Sequence, residues 1–284
     1  NLFKSDGVKM KKTLNKISIY FKKLLSIINK PEMKILPGQL AFFLVMSVFP
    51  ILTLIGLVAT SFNISIDTLI EFMRKVMPLE VSETLIPFIQ GNGIDLKIGF
   101  SMIIGFIIAS NGAQSLIVTS NRLYNIKDSN YLSRRIKALF LTILLVLLTI
   151  FTIVVLAFGD NIISFISNIG ILKNIENIIK SIYGILKIPG SLLIIFFIIK
   201  LIYVITPDSK IPSKDTTKGA LFTTFGVTIV TLIYSYYVAN FSNYDIFYGG
   251  LTNIVIMMMW IYLISYIIVI GISINTHAYV EKDE

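Results

Sequence analysis

The residues able to do chemistry in this sequence are polar side chains set into long apolar stretches. Gln39, Ser47 and Thr53 share one stretch with Pro50; Ser110, Asn111 and Gln114 share a second; Lys200 and Tyr203 sit in another; Asn253 and Asn275 border the last. Amide, hydroxyl and amine groups surrounded by hydrocarbon turn inward to find hydrogen-bond partners. Gathered around a cleft, they would solvate a headgroup, a small solute or an ion. Paired across helices, they would only join the bundle, and the sequence leaves both arrangements open.

Covalent chemistry has little support. With no cysteine there is neither a thiolate nucleophile nor a disulfide framework. The one histidine, His277, lies near the end of the last apolar stretch beside Asn275 and Thr276, a setting that suits an interfacial hydrogen bond better than catalysis. The sequence carries no nucleotide-binding loop, no His-Glu-x-x-His helix and no metal-ligand spacing. RNA cleavage with a metal ion would need several ligands around it, and the apolar stretches hold no Asp or Glu. The expectation is no catalytic residue, no metal and no cofactor, in a protein that is not an enzyme.

The elements that would position these side chains are membrane helices. Of 284 residues, 55% are hydrophobic and only 14% charged, with a mean hydropathy of +0.82; soluble domains carry about 25% charged residues. A span needs about 20 apolar residues. Six candidates meet this, at about 41–60, 98–118, 138–158, 188–206, 219–239 and 251–271. Pro50 removes a backbone donor in the middle of the first and is a candidate bend. Gly99, Ser101, Gly105, Ala109 and Gly112 run along the second and permit close helix approach. The fold class is therefore an all-α integral membrane protein with six transmembrane helices and amphipathic interfacial helices.

The net charge is +9, and its distribution gives an orientation. With the N terminus in the cytoplasm, 19 Lys and Arg fall inside and six outside, so the positive-inside rule puts both termini in the cytoplasm. Residues 1–37 form a basic region in which Leu14, Ile17, Phe21, Leu24 and Ile28 make an apolar stripe, suited to lying on an anionic leaflet; residues 38–284 form the six-helix domain. The long basic segment and the missing cleavage site argue against a secretory signal. Two outer connections also read as amphipathic helices, one through Ile66, Leu69, Ile70, Met73 and Met77 ending at Pro78, the other through Leu172, Ile175, Ile179, Ile182 and Leu186. The basic stretches lack the aromatic platform of a nucleic-acid surface, so no specific nucleic-acid partner is expected.

Several collinear segments resemble a known family. They are GQLAFFLVMSVFPILTLIG (38–56), with a Ser-x-x-Pro element at Ser47 to Pro50; ASNGAQSLIVTSNRLYNI (109–126), followed by Arg134 and Arg135; LIYVITPDSKIPSKDTTKGALF (201–222); and the stretch 248–280. In order and spacing the chain is similar to the YihY/BrkB family of bacterial inner-membrane proteins, formerly labelled ribonuclease BN. The resemblance implies six spans with cytoplasmic termini and a place in the cell membrane. The family pattern usually has an acidic residue shortly before the Asn matching Asn275; here Gly271, Ile272, Ser273 and Ile274 stand there, so a role for that carboxylate does not carry over. Some relatives have genetic links to lipid or lipopolysaccharide export. The Asn-, Lys- and Ile-rich composition resembles that of low-GC Gram-positive bacteria, which points to a phospholipid or another envelope lipid.

The leading expectation is transport or handling of an envelope lipid without covalent chemistry. Gln39, Ser47, Pro50, Asn111, Gln114, Lys200, Tyr203 and Asn275 are the candidate cleft residues, and Arg134 and Arg135 the cytoplasmic contacts for a headgroup phosphate. Membrane lipids, anionic phospholipids among them, are the expected partners, with an envelope protein as a further one. An ion or small-solute transporter is the second reading, and a scaffold for envelope machinery the third.

Overall fold

Backbone N–H and C=O groups in hydrocarbon must be satisfied within the chain, so long apolar segments become helices. The computed structural model describes residues 25–61, 64–89, 96–167, 176–241 and 244–280. A helical turn at 25–28 precedes α1 (Glu32–Ser61), α2 (Ile66–Val76), α3 (Leu79–Ile89), α4 (Leu96–Leu123), α5 (Tyr131–Ser167), α6 (Glu176–Ile205), α7 (Thr217–Phe241), α8 (Tyr244–Tyr248) and α9 (Thr252–Val280). Six of these helices are long and apolar enough to cross a membrane, and no strand occurs among the described residues. Start of α1, end of α4, start of α5, end of α6, start of α7 and end of α9 share one end of the bundle by alternation; it carries most of the basic residues and is called the basic end below.

The helices outrun the apolar stretches that define them. At 1.5 Å per residue, the 30 residues of α1 extend about 45 Å, against a hydrocarbon core of about 30 Å. Pro37 and Pro50 both lie inside α1 without ending it. In the same way α6 runs unbroken from Glu176 through Pro189 to Ile205. Of the outer helix expected through Leu172 to Leu186, Leu172 and Ile175 lie outside the described residues, and from Glu176 onward it is continuous with the helix that carries the span at Ile188–Ile205 rather than a separate element. Proline removes one hydrogen bond from a helix, and a long apolar segment loses more by unwinding.

On the opposite end, α2 does form the expected amphipathic helix. Ser65 caps it, its Oγ accepting from Asp67 N at 3.2 Å, while Asp67 and the pair Arg74 and Lys75 complement the two ends of the helix dipole. Leu69 and Met73 are buried beneath it. The helix ends at Val76, just before Pro78, and a further short helix, α3, follows. Arg74 and Glu83 tie the two together at 2.8 Å.

Around the bundle, α1 packs most extensively on α4 and α9, α5 on α4, α7 on α9, and α6 mainly on its neighbours α5 and α7. One core joins Leu52, Ile55, Leu69, Val81, Leu85, Val146, Ile150 and Met257, welding α1, α2, α3, α5 and α9 toward the outer end. A second, near the basic end, joins Ile27, Met33, Leu36, Leu40, Leu116, Val269 and Ile270. Of the expected N-terminal stripe only Ile28 falls among the described residues, and it is exposed while Ile27 is fully buried. Two glycines decide how closely helices meet. A Cβ at Gly219 would strike Gly271 O and the Asn275 amide, and a Cβ at Gly112 would come within 2.8 Å of Ser47 Oγ.

Candidate functional site

The second span carries a graded stripe. Ile104, Ile107 and Ile108 are exposed on α4, and one to two turns further toward the basic end the same side presents Asn111, Gln114, Ser115 and Val118. Helical spacing of three to four residues stacks these positions. With Gln39 and Phe43 of α1, and Tyr131 and Arg135 of α5, they line a cavity of about 270 Å³. Tyr131 is 66% exposed and Asn111, Gln114 and Gln39 are half-buried, so the cavity meets the protein surface. Farther out, α1 and α5 close together through Leu52, Ile55, Val146 and Ile150.

Arg135 dominates the cavity. Its Nη1 donates to Asn111 Oδ1 and to Gln114 Oε1, both at 2.8 Å, and its Nη2 donates to Ile107 O at 2.7 Å. All three acceptors are neutral, and no carboxylate pairs with Arg135 among the described residues. The guanidinium holds both amide oxygens, so the amide NH₂ groups of Asn111 and Gln114 are left as donors. Ser115, 3% exposed, also lines the cavity, and its Oγ has no protein partner. Chemically this is a donor-rich pocket with one uncompensated positive charge, at the head of an apolar track.

Arg134, its neighbour in sequence, points elsewhere. It pairs with Asp128 at 2.6 Å and belongs to a polar clasp that joins the two loops of the basic end. Fully buried Asn121 at the end of α4 donates to Asp128 Oδ1 (2.9 Å) and Asp208 Oδ2 (2.7 Å), and accepts from Asp208 N (2.9 Å). Asp208 further accepts from Ser129 N at 3.0 Å and from Lys137 Nζ at 2.9 Å. Lys137 completes its coordination with Thr206 O and Pro207 O, the first two carbonyls after α6. Burial pushes the Asp208 carboxyl up, but the hydrogen bonds from Ser129 N, Lys137 and Asn121 outweigh it and hold the group at about 2.

The remaining candidates are scattered. Ser47 is fully buried between α1 and α4, donating to Phe43 O at 2.6 Å and accepting from Gly112 N at 2.8 Å. Pro50 lies against Gly105, where an added Cβ would be 3.5 Å away. Tyr203 is sealed among α6, α7 and α9, its Oη 2.6 Å from Thr223 Oγ1 and donating to Ile268 O at 2.9 Å. Asn275, fully buried nearby, accepts from Gly219 N at 2.7 Å, while its Nδ2 has no protein partner. Lys200 stands 5.8 Å from the Phe196 ring centre, on another face of the bundle. The side chain of His277 lies outside the described residues. The structure therefore brings together Gln39, Asn111, Gln114 and Arg135, and not Ser47, Pro50, Lys200, Tyr203, Asn275 or Arg134.

Four lining residues, Phe43, Ser115, Val118 and Tyr131, are not among the candidates that sequence reasoning names. Ser115 had a readable signal, standing one turn beyond Asn111 and next to Gln114 on α4. The clasp had less, because Asn121 and Asp208 are 87 positions apart.

The family model described as Virulence factor BrkB matches residues 25–284. Among curated proteins, the chain is 25% identical over 260 residues to YfkH of Bacillus subtilis, whose name describes it as ribonuclease-like; the match covers 90% of this chain and 94% of that one. A UPF0761 membrane protein of Haemophilus influenzae is 29% identical over 79 residues, 28% of this chain and 29% of that one. One of Alteromonas mediterranea is 32% identical over 81 residues, covering 28% and 26%. No solved structure matches. With six spanning helices, the match makes this a multi-pass protein of the bacterial inner membrane.

Proposed function

The chain belongs to the Virulence factor BrkB family, and from that premise we propose that it handles an envelope lipid without covalent chemistry, seating an anionic headgroup in the Arg135 cavity. One observation carries the reading: the polar cavity and the exposed isoleucines lie on the same side of α4, in series. An amphiphile laid along that helix would place phosphate oxygens among the donors of Arg135, Asn111 and Gln114, and its chains along Ile104, Ile107 and Ile108. Arg135 favours a phosphate because its charge is met only by neutral acceptors. A headgroup that exchanges water for these donors loses less solvation on entering hydrocarbon. The orientation that fits the charge distribution puts the cavity and both termini on the cytoplasmic side.

Reconstitution of the full chain into vesicles with fluorescent phospholipids tests this. Transbilayer movement should exceed that of protein-free vesicles and fall by about tenfold or more in Arg135→Gln. Movement no faster than in empty vesicles, with and without an ion gradient and across phospholipid classes, overturns the reading.

A further inference from the structure

The cavity that holds Arg135 also carries a second, independent feature, the buried Ser115 hydroxyl without a protein partner. A buried hydroxyl left unpaired costs free energy, and the residue that carries this one lines the cavity wall. Beside it are three side-chain amides, those of Gln39, Asn111 and Gln114. The Ser115 hydroxyl and the Gln39 amide can each donate and accept, the Asn111 and Gln114 amides offer NH₂ donors, and an alcohol group on a ligand answers both. By contrast no Asp or Glu lines the cavity. An ammonium brought there would find no carboxylate, and would stand beside the Arg135 guanidinium in a setting of reduced dielectric, where like charges repel strongly. Phe43 and Tyr131 also line the cavity, but a cation held against either ring would still meet that fixed positive charge.

We infer that the site selects a phosphodiester lipid whose headgroup ends in hydroxyls, with a single negative charge, over one that ends in an ammonium. This rests on the lipid reading above and adds a headgroup chemistry to it. Size agrees: the volume of about 270 Å³ sits at or below the low end of ligand pockets, about 300–1,000 Å³. It has room for one small headgroup.

The test uses the full chain in detergent, with binding followed by thermal shift or native mass spectrometry. The probes are dioctanoyl phosphatidylglycerol, dioctanoyl phosphatidylethanolamine and soluble glycerol 3-phosphate. Phosphatidylglycerol should bind about tenfold or more tighter than phosphatidylethanolamine. Ser115→Ala should weaken phosphatidylglycerol several-fold and leave phosphatidylethanolamine unchanged; Arg135→Lys should weaken both. Glycerol 3-phosphate should bind at least 100-fold more weakly than the lipid, since it lacks chains for the isoleucine track. Equal binding of the two lipids, both still weakened by Arg135→Lys, overturns the selectivity and leaves the lipid site standing. Binding of neither lipid overturns both. Glycerol 3-phosphate binding as tightly as the lipid replaces the lipid with a soluble phosphate ester as ligand. The comparison of lipids on the unaltered protein needs no variant to fold.

Discussion

Asp208→Asn is the sharpest test of the clasp at the basic end. The substitution keeps shape and can keep one oxygen on Asn121 Nδ2 and Ser129 N. The other position then becomes an NH₂ group facing Lys137 Nζ, which the carboxylate had met at 2.9 Å. The Asp208 side chain is 9% exposed and Lys137 25%, so the lost contact is a charge-assisted bond in partly dry surroundings, worth about 1.5–3 kcal/mol, and a donor is set against a donor. A destabilisation of about 2–3 kcal/mol follows, or about 4–12 °C in Tm at about 2–4 °C per kcal/mol for a chain of this size. The one tryptophan, Trp260, whose Nε1 donates to Thr231 Oγ1 across α9 and α7 at 3.2 Å, provides the fluorescence signal in detergent. Acid supplies a second reading. A carboxyl held at about 2, below its ordinary 3.8, contributes stability that is whole above about pH 4 and is lost as pH falls through about 2. After allowance for solvent screening the contribution is about 1–2 kcal/mol. The unaltered protein should show that acid loss and Asp208→Asn should lack it. A Tm within 1 °C of the unaltered protein, with the acid profile unchanged, would refute the reasoning. Asp128→Asn is the control, because Asp128 is 44% exposed and its pair with Arg134 should contribute about 1 kcal/mol or less.

Three further outcomes follow from the packing. Gly219→Val should abolish the folded, monodisperse peak in size-exclusion chromatography, because any Cβ there strikes Gly271 O and the Asn275 amide, whereas Gly38→Ala, where nothing lies within 4 Å, should be neutral or raise Tm slightly. Tyr203→Phe removes hydrogen bonds to Ile268 O and Thr223 and should cost about 1–2 kcal/mol in thermal unfolding; because the hydroxyl is sealed away from the cavity, lipid movement in vesicles should change less than twofold. Gly112→Ala should be destabilised by the approach to Ser47 Oγ, and adding Ser47→Ala should recover part of the loss, read as a positive coupling in a double-mutant cycle.

Much of the architecture was legible because hydrocarbon imposes so strong a rule on sequence. The run from Ala138 to Phe158 admits no other reading, and Pro78 marks the end of α2. What sequence periodicity misjudged was continuity: the polar residues and Pro189 early in α6 suggest a boundary, while the backbone favours one unbroken helix. The short α3 was missed, since Leu79–Ile89 is neither long enough for a span nor cleanly two-sided. For the site, composition named the right class of residue but not its direction. Asn111 and Gln114 face Arg135, whereas Tyr203 bonds Thr223 and Ile268 O on α7 and α9, and Asn275 of α9 accepts from Gly219 N of α7. Only the way helices are rotated against one another separates those two fates, and a single sequence does not encode that locally.

Arg134 and Arg135 are consecutive, so their side chains leave α5 about 100° apart. One is fastened to Asp128 in the preceding loop and the other to Asn111, Gln114 and Ile107 O on α4. A roll of α5 about its own axis that eased either attachment would strain the other, so two adjacent basic residues fix the angular setting of an entire spanning helix.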